Sequence, residues 1–251
     1  INGQVFFDSG ETNYASSAFL NSNVISLSEK KRKEFINCCK KQRITKLKMI
    51  ESITKWQEAK VIVIGDSIID QYAACEAIGM SAEAPVVVVK ELKNKNFIGG
   101  AAIVAAHIAA LGGRCEFLSI TGNDEESKFL SLELEKLGIK SSLIVDEMRP
   151  TTLKKRYIVN SQKIFRVSKF EENHINTIIE DQLIQKLERL APRSDSIIIS
   201  DFLYGVITPK LLESIKSIVK KFDLQLIGDM QCSSQIGQIT KFKDFSLLCP
   251  N

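Results

Sequence analysis

The chain has 251 residues, 44% of them hydrophobic and 25% charged, with a net charge of +4. That is ordinary for a globular protein able to bury about 70–75% of its unfolded surface, in one main domain plus an appendage. The charge is too small to argue for a nucleic-acid partner, no apolar run reaches the ~18 residues of a membrane span, and the opening residues do not resemble a signal peptide, so a cytoplasmic protein is expected.

The first residue is Ile1, which fits a fragment or a processed chain. Residues 1–25 are polar and irregular, Ala15-Ser16-Ser17-Ala18-Phe19-Leu20-Asn21 being the ordered-looking piece. Ser26 and Glu29 fit a capping box opening a helix from Ser28 to about Lys41. A second helix from about Thr45 to Glu58 carries Leu47, Ile50, Ile53 and Trp56 at helical spacing. Between Ser26 and Lys60 stand eleven Lys or Arg against four Glu. With no aromatic residues interleaved among the charges beyond Phe35 and Trp56, this reads as the solvated face of a helical linker, the alternative being an acidic partner.

From Val61 the pattern turns α/β. Val61–Gly65 is a short apolar run suited to a buried parallel strand, and Val86–Val89 is a second β-branched run. A buried Ala-rich helix is expected from about Gly100 to Leu111, opened by Gly99-Gly100 and closed by Gly112 or Gly113. A Gly-Gly step at a helix start lets a ligand approach backbone N–H groups closely. Further strands are expected at Glu116–Ile120, Leu143–Val145, Ile197–Ile199, Gln225–Ile227 and Phe245–Leu248. Helices should start after Asp124, after Asn176 and at Pro209. Alternating strands and helices predict a mostly parallel sheet covered on both faces. The segments near 72–98 and 151–168 fall outside that rhythm and should form a small separate sheet, a lid over the ligand edge.

The six cysteines, Cys38, Cys39, Cys75, Cys115, Cys232 and Cys249, contain no C-x-x-C pair and make no metal spacing with His107 or His174, so they read as reduced structural thiols. No G-x-G, no G-x-x-x-x-G-K-[ST] and no G-x-S-x-G occurs, which argues against hydride transfer and serine hydrolysis. Asp66, Asp201 and Asp229 are placed just after strands, with Asp70 one helical turn beyond Asp66. Ligands of open parallel sheets bind beyond the strands' carboxyl ends, where carboxylates can hold sugar hydroxyls or a magnesium–phosphate group, while any single Asp can equally cap a helix.

Gly65-Asp66-Ser67-Ile68-Ile69-Asp70-Gln71-Tyr72, Ser81–Val87, Gly99–Ala105, Thr121–Asp124, Thr151–Arg156, Phe165–Val167 with Phe170–Glu172, Ser200–Gly205 and Pro250-Asn251 together resemble the ribokinase-like carbohydrate kinases, and among them the heptose 7-phosphate kinases. The resemblance covers roughly Lys60 to Asn251 and implies an α/β fold with a small β-sheet lid. It implies ATP and Mg2+ as cofactors and transfer of the γ-phosphoryl group to a hydroxyl of a sugar or sugar phosphate. Asp70 would hold acceptor hydroxyls, and Gly99 and Gly100 would let the sugar reach the backbone. Lys154 and Arg156 would face a phosphorylated acceptor. Asp201 falls at the acceptor end, and Asp229 and Asn251 at the nucleotide end. Three departures stand out: Ile103 where the family has Asn, Tyr204 where the heptose kinases have Lys, and Met230-Gln231 where they have Pro-Lys. The family's catalytic base belongs to a Gly-Ala-Gly-Asp segment expected beyond Asn251, so the chain alone is expected to be nearly inactive. Ala15–Asn21 resembles the end of a nucleotidyltransferase domain, so residues 1–25 would be the tail of such a domain, 26–59 a basic linker and 60–251 the kinase domain of a bifunctional enzyme. A homodimer paired through the lid is expected; the alternative is a non-catalytic sugar-binding or dimerisation module.

Overall fold

The computed structural model describes residues 24–231 and 237–250. The chain divides into two units, residues 1–53 and 54–251. In the first, helix α1 spans Val24–Lys41, and helix α2, Lys46–Trp56, begins there. Thr45 opens α2, its Oγ1 accepting from Lys48 N at 3.2 Å. Ser26 lies inside α1, so the capping box expected at Ser26 and Glu29 does not form the helix start. The segment Ala15–Asn21 lies outside the described residues.

In the second unit, six short strands form an all-parallel sheet in the order β10-β9-β8-β1-β4-β5. They are β1 (Lys60–Gly65), β4 (Arg114–Thr121), β5 (Lys140–Val145), β8 (Ser196–Asp201), β9 (Gln225–Met230) and β10 (Leu247–Pro250). Their runs of Val and Ile are apolar on both faces because both are covered. On one side, Val61, Val63 and Phe117 pack with Ala101, Ala102 and Ala105 of α3 (Ala101–Ala110) and Leu130 and Leu134 of α4 (Glu125–Lys136). On the other, Ile62, Ile64, Ile197 and Ile199 pack with Leu183 and Leu187 of α5 (Thr177–Leu190) and Leu211 and Ile215 of α6 (Pro209–Phe222). Asp124, Asn176 and Thr208 cap α4, α5 and α6, each side chain accepting the N–H three residues on.

The lid is a four-stranded sheet, β3-β2-β6-β7. Its strands are β2 (Ser67–Met80), β3 (Val87–Gly100), β6 (Thr152–Val159) and β7 (Gln162–Lys169). β2 and β3 pair antiparallel, as do β6 and β7, while β2 and β6 run parallel. Two expectations are corrected. Asp70 stands on strand β2, not one helical turn after Asp66. The valines at 86–89 and the Gly99-Gly100 pair belong to one segment: β3 takes in Val87 and runs on through both glycines, which end a strand instead of forming a turn. Asp66 alone separates β1 from β2, and nothing separates β3 from α3. Asp201 and Asp229 are strand residues at the carboxyl ends of β8 and β9, not residues following the strands.

Candidate functional site

The lid and the carboxyl ends of the core strands enclose a cavity of about 360 Å³. Asp70 and Lys154 are register partners on β2 and β6, as are Tyr72 and Arg156, and Arg156 in turn pairs with Arg166 on β7. Side chains two apart on a strand share a face, so the pairing gathers Asp70, Lys154 and Arg156 on one wall. Ile68, Gly99 and Gly100 of the β2–β3 ribbon and Ile103 and Val104 of α3 form the floor, and Phe202, Asp229 and Gln231 close the core side. Of the residues expected at the site, Asp70, Gly99, Gly100, Ile103, Lys154, Arg156 and Asp229 thus line one cavity. Asp229, expected at the nucleotide end, lines the same cavity as the residues assigned to the acceptor.

Asp201 is not part of the wall. It is buried, its Oδ1 accepting from Leu203 N at 2.9 Å and its Oδ2 in ion contact with Lys241. Asn251 lies outside the described residues. Arg166, Phe202 and Gln231 were missed. Pairing the two strands expected around Ser161-Gln162 puts Arg166 opposite Tyr157; the turn at Asn160-Ser161 and a register shift between Tyr157 and Ile158 bring it opposite Arg156 instead, whereas Phe202 and Gln231 reach the cavity through loops with no local signal.

The cations are held unequally. Arg156 is ion-paired with Asp70 and lies over the Tyr72 ring at 5.3 Å. Lys154 is only 4% exposed, and its ammonium meets the rings of Phe202 at 5.3 Å and Tyr204 at 5.0 Å. No carboxylate pairs with it among the described residues. A buried ammonium met by ring faces alone attracts an anion strongly, since ring quadrupoles stabilise it less than a carboxylate would.

The glycines are required by the frame itself. A Cβ on residue 99 would sit 2.6 Å from Asp70 Oδ2, and one on residue 100 would sit 2.3 Å from the Asp66 carbonyl oxygen. Gly100 also has φ 59°, in the left-handed region. The pair therefore makes room for Asp70 and for the start of α3, where Ala101 N donates to Asp66 O at 2.9 Å.

Burial, reinforced by the charge of Asp201, pushes the Asp66 carboxyl up to about 7 against three backbone hydrogen bonds. Burial raises Asp229 as well, opposed by hydrogen bonds from Ser200 and Gln231, with the charge of Asp201 adding to the rise.

Residues 58–239 match the pfkB family carbohydrate kinases. The bifunctional protein HldE of Campylobacter jejuni subsp. doylei is 30% identical over 203 residues, covering 81% of this chain and 41% of the relative. HldE of Helicobacter hepaticus is 34% identical over 195 residues, covering 76% of this chain and 39% of the relative. The chain thus spans about two fifths of the length of these relatives. Among solved structures, an Arabidopsis thaliana ribokinase complexed with ribose and ATP superposes with a TM-score of 0.55 at 15% identity, over 77% of this chain and 60% of that one. The parallel sheet with helices on both faces, the β-sheet lid above its carboxyl edge and the family match agree: this chain belongs to the pfkB family of carbohydrate kinases.

Proposed function

We propose that this chain supplies the acceptor end of an ATP-dependent kinase for a phosphorylated sugar, as one module of a bifunctional kinase and nucleotidyltransferase. The observation that carries this reading is Lys154, a buried ammonium faced by two rings in a cavity that also holds Arg156, Arg166 and Asp70. Lys154 and the guanidinium groups receive the acceptor's phosphate, and Asp70 accepts from its hydroxyls. The family match and the relatives named as bifunctional proteins support the activity. A heptose phosphate is the acceptor proposed, on the strength of the HldE likeness.

In the reaction the acceptor oxygen bonds to the γ-phosphorus of ATP, the bond to the bridging oxygen breaks, ADP leaves, and the hydroxyl proton passes to a base. Lys154, Arg156 and Asp70 orient the acceptor, and no described residue is assigned as the base. A magnesium ion takes one or two carboxylates together with the nucleotide's phosphates, and Asp229 on the cavity wall could supply one of them. No group of three or more His, Cys, Asp or Glu side chains able to hold a metal ion occurs among the described residues. Asp66 is held by backbone N–H groups, Asp201 by Leu203 and Lys241, and Asp229 by Ser200 and Gln231.

The lid also exposes Val86, Val87, Val88, Leu92, Ile164, Phe165 and Val167 along its two edge strands, apolar side chains available to a second copy of the chain. Sedimentation equilibrium tests this; a monomer at tens of micromolar contradicts it.

Calorimetric titration with a panel of hexose and heptose phosphates and their unphosphorylated parents tests the acceptor assignment. A phosphorylated sugar should bind at least about tenfold more tightly than its parent, and Lys154→Met should erase the difference. Equal affinity for both forms refutes it. A second reading, a sugar-binding module without transfer, is favoured by the ion pair that already occupies Asp70. Transfer of label from γ-labelled ATP to the bound sugar phosphate separates the two.

A further inference from the structure

The loop after β8 carries Leu203 at φ 65° and Gly205 at φ 84°. Left-handed residues at alternate positions turn successive backbone N–H groups inward and make an anion-holding concavity. Its occupant here is internal. Asp66 Oδ2 accepts from Phe202 N at 2.7 Å and from Tyr204 N at 3.4 Å, and its Oδ1 accepts from Val206 N at 3.3 Å. Asp66 is 1% exposed, and its own carbonyl receives Ala101 N at the start of α3. One residue thus fixes both the floor of the cavity and the loop that bears the Phe202 and Tyr204 rings. Those rings are what the Lys154 ammonium touches.

We infer that Asp66 is a positioning residue for the anionic group of the acceptor: by holding the Phe202–Val206 loop it sets the rings, and through them the Lys154 ammonium. The inference rests on the acceptor assignment proposed above. A fold that only needed the loop closed would be served by a neutral side chain, since burying a carboxylate beside Asp201 is costly. Ionised, as it is above pH 7, the carboxylate accepts all three N–H groups at once, which an amide cannot do because its nitrogen is a donor, so the comparison is made at pH 8. The other charged groups around Asp66 are Asp201, with Lys241 on its far oxygen, and Arg149 and Glu171 beside the small cavity that Asp66 and Tyr204 share.

The test combines backbone hydrogen exchange with titration of glucose 6-phosphate, glucose serving as the uncharged control, in the unmodified chain and in Asp66→Asn, Lys154→Met and the double variant. In Asp66→Asn the amides of Phe202, Tyr204 and Val206 should exchange at least about tenfold faster, and glucose 6-phosphate should bind about tenfold more weakly, with glucose unchanged. In the Lys154→Met background the Asp66 substitution should cause no further loss, because coupled residues are not additive. Unchanged exchange in Asp66→Asn, or losses that multiply in the double variant, overturns the inference. Should Asp66→Asn fail to fold, Tyr204→Leu takes its place. It removes one ring and leaves the Asp66 hydrogen bonds intact, so glucose 6-phosphate should weaken while Phe202 N stays protected; full affinity overturns the inference. An unmodified chain that binds neither sugar overturns the acceptor assignment and this role with it, whereas tight glucose 6-phosphate binding unaffected by Asp66→Asn overturns this role alone.

Discussion

Gly100→Ala isolates the joint between the lid and the core. At φ 59° an L-residue costs about 1–2 kcal/mol over glycine. The added Cβ would also lie 2.3 Å from the Asp66 carbonyl oxygen and 2.9 Å from Ile68 Cγ1. The oxygen is backbone and already accepts Ala101 N at 2.9 Å, so relieving the clash strains or breaks a buried hydrogen bond worth about 1–3 kcal/mol. The total is about 4 kcal/mol, a fall in melting temperature of about 8–16 °C for a unit of this size. Gly138→Ala is the control: it has φ 69° but nothing within 4 Å of the added atom, so it should cost only the conformational part, about 1 kcal/mol. Urea unfolding followed by far-ultraviolet circular dichroism measures both. A Gly100→Ala variant no less stable than Gly138→Ala would refute the reasoning, because the close approach to Asp66 would then carry no energy.

Asp124 accepts from Ser127 N at 3.0 Å and from Thr151 N at 2.8 Å, tying the cap of α4 to the start of the lid strand β6. Burial opposes its ionisation, but the hydrogen bonds from Thr151 and Ser127 outweigh it and hold the carboxyl below its ordinary range. Its contribution is therefore present above about pH 4 and lost as pH falls through the lowered value, and Asp124→Ala should cost about 2 kcal/mol at pH 7 and less near pH 3, read from urea midpoints. Asp66 has the opposite sign. With its carboxyl pushed up to about 7, the folded state holds a proton that the unfolded chain has released, so this contribution is full below about pH 4 and lost as pH rises through 7. The stability difference between Asp66→Asn and the unmodified chain should therefore shift in the variant's favour as pH rises from 5 to 8, whatever its absolute size from the lost hydrogen bonds; a constant difference across that range contradicts the assignment. The Cys115 thiol is pushed up to about 12 by burial, with the charge of Glu116 adding to it, so under native conditions at pH 8 a thiol reagent should label the exposed Cys38 and Cys249 and leave the Cys115 peptide unmodified by mass spectrometry.

The core sheet was legible because its strands are short apolar runs separated by capped amphipathic helices, and each of those signals is local. The lid was legible only in outline. In β2 the run Ile68-Ile69-Asp70-Gln71 does not alternate, and register shifts at Ala74/Cys75 and Ala77/Gly79 break the period further on, so Asp70 read as helical. Lys154 and Arg156 show the converse: placed by resemblance on lid strands, they do meet Asp70 once β6 pairs with β2. Asp66 was visible only as one of several strand-end carboxylates, since its three N–H donors lie 136 to 140 residues away and no local pattern encodes them. The first-turn position of Ile103 was readable, and its place on the cavity floor followed once the helix start was fixed by Gly100.

The β2–β3 ribbon leaves the core after Asp66 and returns to it at Gly100, residues bridged through the Ala101 N–H. Both attachments are loop-free and lie side by side, so the ribbon has no slack with which to slide or lift as a body. Its available rigid motion, shared with β6 and β7 because β2 is paired with β6 from Ile68 to Cys75, is a swing about the line joining those two residues, with displacement growing along its fourteen-residue strands toward Met80 and Val87. A few degrees at the joint therefore leave Gly99 and Asp70 almost in place while carrying the far end several ångströms, at about 3.4 Å of lever arm per residue. The ribbon works as a lever whose fulcrum is built into the cavity floor.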